Sequence, residues 1–325
     1  MRSVSLGLVV LGLAAGCDNG KMHLHPEAGT RPDSPTVTWW RPMPGTVKNW
    51  DVQLAAPFDV SAARTMYDLD LWAVTPATTI DHGDGAPVTV PAGPLAGTIE
   101  MLKARSPKPV VICHVLTGAV RLTDPDASKF PGFEASPPDD PDPPAANSVI
   151  GWSTPAGEGE RFLDIRASSR AQFQALIWKR LDLAKQIGCD GVEADRNDMI
   201  MLQPGWSLTP SDQTSWYVEV AMQAHQRGLS VGLKNGNTVP GQIDELVSSF
   251  DWMMVERCGE FEDCDSARPM LNLQRAVLAI DYQSDIDGNP RNEAVDCARQ
   301  VDSMIDDGLV KDNALSSAYR HQCVP

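Results

Sequence analysis

The chain has 325 residues, of which 42% are hydrophobic, and a formal net charge of -16 at pH 7. This length allows a sizeable buried core, and a barrel of about 250 residues or more is still one domain. The negative charge argues against nucleic acid as a partner, because phosphates would be repelled. A negative charge would attract a cationic polymer, but it also increases solubility. The net charge therefore does not identify the substrate.

The N-terminus has the pattern of an export signal. Arg2 precedes an apolar run over residues 4–15, which is too short to span a bilayer and is typical of a signal-peptide core. Small residues stand directly before Cys17, as in a bacterial lipoprotein signal that is cleaved there and lipidated on the cysteine. An ordinary cleaved secretory signal is the alternative. Both predict export, and the lipid is the only membrane contact we expect.

These signals divide the chain into a signal peptide (residues 1–16), a flexible tether (17–35) and one barrel domain (36–325). Without Cys17, six cysteines remain, an even number that favours disulfides in an oxidising compartment. Two pairs are plausible from their positions: Cys258 with Cys264, and Cys297 with Cys323. Cys113 and Cys189 lie in strand-like runs and are expected to be buried thiols. Zinc is not favoured, because no paired CxxC spacing is present.

The first half of the domain has few regular elements. Residues 66–72 alternate carboxylates with apolar side chains, as a strand with one polar face does. Residues 76–94 are expected to be a loop, residues 95–105 a short helix, and residues 109–113 a buried parallel strand. Residues 117–160 are the least regular part, and we expect a functional loop or an insertion there.

The second half repeats a helix followed by an apolar strand. One helix has apolar residues at three- and four-residue spacing and stops at Gly188, and another begins with the capping pattern at residues 209–212 and stops at Gly228. The strands are predicted at residues 191–195, 230–235, 252–257 and 276–282, and two more helices at 243–250 and 292–307. Three consecutive helix-to-strand units imply right-handed parallel crossovers.

The length and the strand count favour an α/β fold of the closed (β/α)8 type. A doubly wound open sheet is the runner-up, but no GxGxxG or P-loop supports nucleotide binding, and no cofactor is expected. In a barrel the carboxyl ends of the strands gather at one mouth. Polar groups follow or end the predicted strands at Asp195, Lys234 with Asn235, Glu256 and Asp281.

Asp195 and Glu256 end alternate strands, and such a pair suits hydrolysis of a glycosidic bond. One carboxyl protonates the leaving oxygen while the other attacks the anomeric carbon or activates water. The alternative for each acid is a structural role, capping a helix or pairing with Arg196 or Arg257. His114 is expected to face the mouth, whereas His225 lies in the last turn of its helix, where a structural role is favoured.

Many residues in the same order carry a family resemblance over residues 40–297. They are Trp50 with Gln53-Leu54, residues 67–70, 111–113, Gly151-Trp152, Glu160, residues 163–166, 188–198, 224–225, 228–235 and 250–256, Cys258 and Cys264. This set resembles glycoside hydrolase family 114, whose known activity is endo-α-1,4-polygalactosaminidase on a (β/α)8 barrel. The resemblance implies an extracellular α-linked, galactosamine-containing polysaccharide as substrate, with no metal or organic cofactor.

The resemblance also implies roles for individual residues, with Asp195 as nucleophile and Glu256 as acid/base. Asp68, Asp70 and Lys234 would shape the sugar site. The further substrate-binding candidates lie at strand ends or in the matching stretches: His114, Glu193, Asp198, Asn235 and Tyr282.

The chain departs from the family pattern beside the nucleophile. It has Ala194-Asp195-Arg196 where the family commonly has Pro-Asp-Asn, and His114 where a Tyr is favoured. Arg196 conflicts with a polymer of cationic amino sugars. A non-catalytic carbohydrate-binding lipoprotein and a glycosidase acting on neutral sugars are therefore alternatives. A raised pKa at Glu256 with an ionised Asp195 is expected of the enzyme and is not required of a binder.

Overall fold

The structure is a computed structural model that describes residues 39–137, 140, 144–237, 239–305 and 307–323. Thr38–Pro325 form one compact unit. The predicted signal peptide, the tether and Cys17 lie outside the described residues. Within the described part of the chain, no helix is both long and apolar enough to cross a membrane.

Strands occur along the whole described part of the domain. In order they are β1 (Asp51–Gln53), β2 (Met66–Asp70), β3 (Thr78–Ile80), β4 (Val88–Val90), β5 (Val110–Leu116), β6 (Ala119–Arg121), β7 (Ile150–Thr154), β8 (Gly157–Leu163), β9 (Gly191–Asp195), β10 (Ser230–Lys234), β11 (Trp252–Glu256), β12 (Val277–Tyr282), β13 (Asp307–Lys311) and β14 (Arg320–Cys323).

The helices are concentrated in the second half. They are α1 (Leu71–Val74), α2 (Thr98–Lys103), α3 (Gln174–Ile187), α4 (Pro210–Gln226), α5 (Gln242–Leu246), α6 (Cys258–Phe261), α7 (Arg268–Asn272) and α8 (Glu293–Asp302).

One nine-stranded sheet curls into a nearly closed barrel. Its order is β1-β2-β5-β9-β10-β11-β12-β13-β14, and every neighbouring pair is parallel except β13 with β14. The eight strands from β1 to β13 in this order are therefore all parallel, as in the TIM-type α/β barrel that the sequence predicts. Among the described residues no ladder joins β14 to β1. Side chains span this seam: Lys311 Nζ lies 2.9 Å from Asp51 Oδ1, and Arg320 donates to the carbonyl of Trp50.

Alternation along the strands creates two separate apolar layers. Met66, Ile112 and Met254 belong to a cluster that includes Trp252, and their neighbours in sequence belong to the larger cluster that packs against the helices. Side chains two residues apart point to the same face of a strand. Asp68 and Asp70, which follow Met66 by two and four residues, therefore share its side of the sheet. The interior is apolar at one level and acidic toward the carboxyl ends.

Local signals place the two longest helices where the sequence predicts them. Gly188 ends α3 with a φ of 98°, which few residues other than glycine adopt without strain. At the start of α4, Thr209 accepts from the backbone of Asp212, whose side chain accepts from Thr209 in return. Each helix then leads within a few residues into a barrel strand.

Two segments that were expected to be loops contain strands, so those predictions are wrong. Residues 76–94 include the antiparallel pair β3-β4, and residues 117–160 contribute to a three-stranded sheet of order β6-β8-β7. The three strands of that sheet are antiparallel and belong to the excursion between β5 and α3. Arg121 and Glu160, which pair across β6 and β8, thereby reach the barrel mouth.

All six cysteines of the domain form disulfides. Cys258–Cys264 and Cys297–Cys323 are the two expected pairs. The expectation of free thiols at Cys113 and Cys189 is wrong, because these residues are bonded to each other. Cys113 pairs in register with Val192 of β9, and Cys189 lies just before that strand. Two cysteines 76 residues apart are therefore neighbours.

Candidate active site

Three successive strands end in a functional side chain and then turn in the same way. Asp195, Lys234 and Glu256 are the last residues of β9, β10 and β11. Each is followed by a residue with left-handed backbone: Arg196 (φ 63°), Asn235 (φ 51°) and Arg257 (φ 58°). Such a conformation is uncommon outside glycine, and its recurrence next to charged groups is typical of a functional site.

The ammonium group of Lys234 connects the two candidate catalytic acids. Its Nζ lies 3.7 Å from Asp195 Oδ2 and 3.6 Å from Glu256 Oε1, and it also contacts Glu193 Oε1. Because one nitrogen reaches both acids, Asp195 Oδ2 and Glu256 Oε1 are at most about 7.3 Å apart. Carboxyl groups at about 5.5 Å, or at about 6.5–9.5 Å, flank a scissile glycosidic bond in retaining and inverting enzymes. The pair can thus act on one linkage.

His114 holds Asp195 from the other side. Its Nε2 lies 3.1 Å from Asp195 Oδ2, and its Nδ1 lies 3.8 Å from Asp70 Oδ2. The imidazole is 2% exposed, so burial would lower its pKa. The hydrogen bond to Asp195 and the nearby carboxylate of Asp70 outweigh burial and raise the pKa of His114 to about 10. At neutral pH it is an imidazolium between two carboxylates, facing the mouth as predicted.

Two arginines and a glutamate complete a ring of alternating charge. Arg121 Nη1 donates to Asp70 Oδ2 at 2.5 Å, and its Nε lies 3.6 Å from Glu160 Oε2. Arg196 Nε donates to Glu160 Oε1 at 2.7 Å, and the backbone N–H of Arg196 donates to Asp195 Oδ1 at 2.7 Å. His114, which lies between Asp195 and Asp70, closes the ring.

Arg121 was not among the predicted site residues, and Glu160 entered only as a family match. They were missed because β6 and β8 lie in the stretch expected to be irregular.

Asp68 and Glu193 form a deeper acidic pair. Both residues are fully buried, and neither the carboxyl oxygens of Asp68 nor Glu193 Oε2 has a hydrogen-bond partner among the described residues when both acids are ionised. Burial, followed by the charge of Glu193, raises the pKa of Asp68 well above its usual value. Burial thus favours the protonated form of Asp68, and a neutral carboxyl can donate to a neighbouring carboxylate. The pair lies below the mouth, next to Lys234.

The two candidate catalytic acids are both ionised. Burial would raise the pKa of Asp195, but the charges of Lys234 and Arg196 and the hydrogen bond with His114 lower it well below its usual value. Burial would likewise raise the pKa of Glu256, whereas Lys234 and the hydroxyl of Tyr282 bring it below 4.5. The pKa of Asp195 agrees with the expectation for an attacking group. The expectation of a raised pKa at Glu256 is not met.

The remaining substrate-binding candidates surround this centre. Tyr282, the last residue of β12, donates to Glu256, and the side-chain oxygen of Asn235 accepts from the Glu256 backbone at 2.9 Å. Asp198 is buried beside Asp195 and Arg196. Burial, followed by the charge of Asp195, raises the pKa of Asp198 to about 6. It is thus a site acid that titrates near neutral pH.

Asp281 and His225 have structural roles. Asp281 lies within β12, accepts from the backbone N–H groups of Gly259 and Glu260 at 3.0 Å, and so fixes the first turn of α6. His225, in the last turn of α4, lies 2.8 Å from Asp251, which precedes β11. The structural role favoured for His225 is therefore what its contacts show, although a contact with Asp251 provides it.

A metal ion is the other cationic group this cluster suggests. Ligand atoms of His114, Glu193 and Asp195 lie within 4.8 Å of one another. However, Lys234 already contacts Glu193 Oε1 and lies 3.7 Å from Asp195. An imidazolium also offers no lone pair to a metal, so His114 would have to lose a proton first. The residues present fit an internal ammonium better than an added cation.

Comparison with known proteins agrees with this geometry. The family model described as glycoside hydrolase family GH114 matches residues 29–323. No curated protein matches the sequence. Among solved structures, that of Aspergillus fumigatus Ega3 in complex with galactosamine is similar at 23% identity and a TM-score of 0.62, covering 87% of this chain and 97% of Ega3. At this identity the likeness shows the shared fold.

A chitinase of family GH18 from Pseudoalteromonas aurantia is more distant. It is 12% identical with a TM-score of 0.46, over 83% of this chain and 95% of the chitinase.

Proposed function

The chain belongs to glycoside hydrolase family GH114, and we propose that it is an endo-acting hydrolase of α-1,4-linked, galactosamine-containing polysaccharide. The observation that carries this proposal is the single ammonium of Lys234 within 3.7 Å of both Asp195 and Glu256. Two carboxylates held this close at a barrel mouth match what cleavage of a glycosidic bond requires. The galactosamine bound in Ega3, a protein of the same fold, supports the choice of sugar.

In the proposed reaction, Asp195 attacks the anomeric carbon while the Glu256 carboxyl protonates the leaving oxygen. Glu256, now a carboxylate, then takes a proton from the water that displaces Asp195 and releases the sugar. Lys234 and His114 keep Asp195 ionised for the first step. Glu256 must carry a proton at the start, and its pKa lies below 4.5. The enzyme should therefore be most active at acidic pH, where this proton is present.

A polymer-cleavage assay tests the proposal. Wild-type protein should release oligosaccharides from partly acetylated α-1,4-galactosaminan, with kcat/KM highest at acidic pH and falling as pH rises toward neutrality. Glu256→Gln should release none, whereas Glu245→Gln, at an exposed site on α5 outside the barrel, should match the wild type. A rate that stays constant up to pH 8 would exclude Glu256 as the proton donor of the free enzyme.

The low pKa of Glu256 favours one rival, a carbohydrate-binding lipoprotein without activity. A binder needs ionised, hydrogen-bonded acids and no proton donor. Polymer binding with no cleavage between pH 3 and pH 8 would support this rival. Cleavage of a neutral polysaccharide, with none of galactosaminan, would instead identify a glycosidase of different specificity.

We further propose export and a lipid anchor on Cys17, which lies outside the described residues. Metabolic labelling with a fatty acid should mark the wild-type protein and leave Cys17→Ser unlabelled. An unlabelled wild-type protein released into the medium would indicate an ordinary secretory signal.

A further inference from the structure

Arg196 is fixed at the mouth by three contacts. Its backbone N–H donates to Asp195 Oδ1 and its Nε donates to Glu160 Oε1, both at 2.7 Å. The backbone of Gly118 approaches so closely that a Cβ there would lie 1.8 Å from the Arg196 carbonyl oxygen. These contacts fix the backbone of Arg196 and hold its guanidinium through Nε, and the side chain is 23% exposed. It stands next to the carboxylate that attacks the sugar.

The terminal nitrogens of Arg196 are available to a ligand. Within the described part of the chain, Nη1 and Nη2 of Arg196 make no hydrogen bond. The other two arginines of the mouth use a terminal nitrogen internally: Arg121 donates Nη1 to Asp70, and Arg257 donates Nη1 to Glu260 and to a backbone carbonyl. Arg196 is therefore the guanidinium of this set with both terminal donors left for a substrate.

The charges around Arg196 discriminate between forms of an amino sugar. Asp195 and Glu256 share the ammonium of Lys234, and Glu160 is paired with Arg196 itself, so these three carboxylates already have cationic partners before a substrate binds. A substrate ammonium near Arg196 would be repelled by the positive charge of the guanidinium, and such repulsion contributes to specificity. An acetamido carbonyl is instead an acceptor for the free N–H groups.

From this geometry we infer that Arg196 is a specificity-determining residue that selects N-acetylated over free amino sugars in the subsite beside Asp195. The inference rests on the proposed glycosidase function and refines it: the substrate unit next to the attacking carboxylate is an acetamido sugar. Asp198 is the group that opposes this selection, since it lies beside Arg196 and has no side-chain partner among the described residues. Its carboxylate is where a substrate ammonium would bind.

The test compares kcat/KM on N-acetylated and deacetylated α-1,4-galactosamine oligomers of equal length. The ratio cancels any common effect of a substitution on Asp195 or Glu256. Wild-type protein should prefer the acetylated oligomer. Arg196→Asn, which tolerates the left-handed backbone, should shift the ratio toward the deacetylated oligomer by about tenfold or more, the effect of losing one hydrogen bond to a charged group. Arg196→Lys should still discriminate against the deacetylated oligomer.

Arg257→Asn is the matched control, since Arg257 also follows a candidate catalytic acid with positive φ. It should leave the ratio unchanged. A wild-type preference for the deacetylated oligomer, or an unchanged ratio in Arg196→Asn, would overturn the inference. The inference would also be overturned if Asp198→Asn lowered kcat/KM only on the deacetylated oligomer while Arg196→Asn left the ratio unchanged.

Calorimetric Kd values for the same two oligomers separate this inference from the proposed function. If the wild type binds but cleaves neither oligomer, the hydrolase proposal fails. The ratio of the Kd values for the two oligomers, compared between the wild type and Arg196→Asn, then still decides the role of Arg196.

Discussion

The charge on His114 is a quantity the structure assigns and a measurement can check. His114 faces Asp70 on β2 and both Glu193 and Asp195 on β9. Burial disfavours the imidazolium, but these carboxylates raise the pKa of His114 from 6.5 to about 10. Such a difference corresponds to about 5 kcal/mol of stability, as an upper limit.

The sign follows from which state binds the proton more tightly. The folded protein does, so this contribution is fully present below pH 6.5 and is lost as pH rises toward 10. In His114→Gln, the amide can still donate to Asp195 but carries no charge. The wild type should therefore be more stable than His114→Gln by several kcal/mol at pH 6, and the gap should shrink by about 1.4 kcal/mol per pH unit above pH 7.

Urea unfolding without reductant, at pH 6 and at pH 9, measures both free energies with the disulfides intact. Comparison with the variant at each pH removes the titration of other groups. An equal gap at the two pH values would show that His114 is neutral in the folded protein and would refute the reasoning.

Three further predictions concern the rest of the framework. Replacing Cys113 and Cys189 by Ser opens a 76-residue loop and should lower the free energy of unfolding by about 4 kcal/mol, measured in urea; a loss under 1 kcal/mol would contradict this. Lys234→Met removes the cation shared by three carboxylates, so kcat should fall more than 100-fold and the pH limit of any residual activity should move upward. Asp251→Asn weakens the partly buried contacts of the buried Asp251 carboxylate to Trp39, Arg41 and His225 and should cost about 2 kcal/mol in thermal unfolding while kcat is unchanged.

Local signals explain why the second half of the barrel is predictable from sequence. The stop at Gly188 and the capping residues Thr209 and Asp212 act within a few residues, and an apolar strand follows each helix. Once parallel strands are inferred, their polar ends must gather at one mouth. The order of helices and strands along the chain is therefore enough to bring Asp195, Lys234 and Glu256 together.

Features that depend on distant pairing were not predictable in this way. The strand β6 has three residues and exists because it pairs with β8, almost forty residues later. The Cys113–Cys189 bond likewise depends on which strands are neighbours in the barrel. A raised pKa at Glu256 is expected of an active acid/base, but the position of Lys234 lowers the pKa instead. The direction of such a pKa shift depends on differences of a few ångströms in the distances between side chains. The spacing of residues in a sequence does not specify these distances.

Mass spectrometry of Glu256→Gln during turnover tests the two-carboxylate account most directly. An oligosaccharide with an activated leaving group needs no acid for the first step, whereas the second step needs Glu256 as base. The account predicts a glycosyl adduct on the peptide that contains Asp195, released only slowly. Cleavage with no adduct, or an adduct on another residue, would contradict Asp195 as the nucleophile.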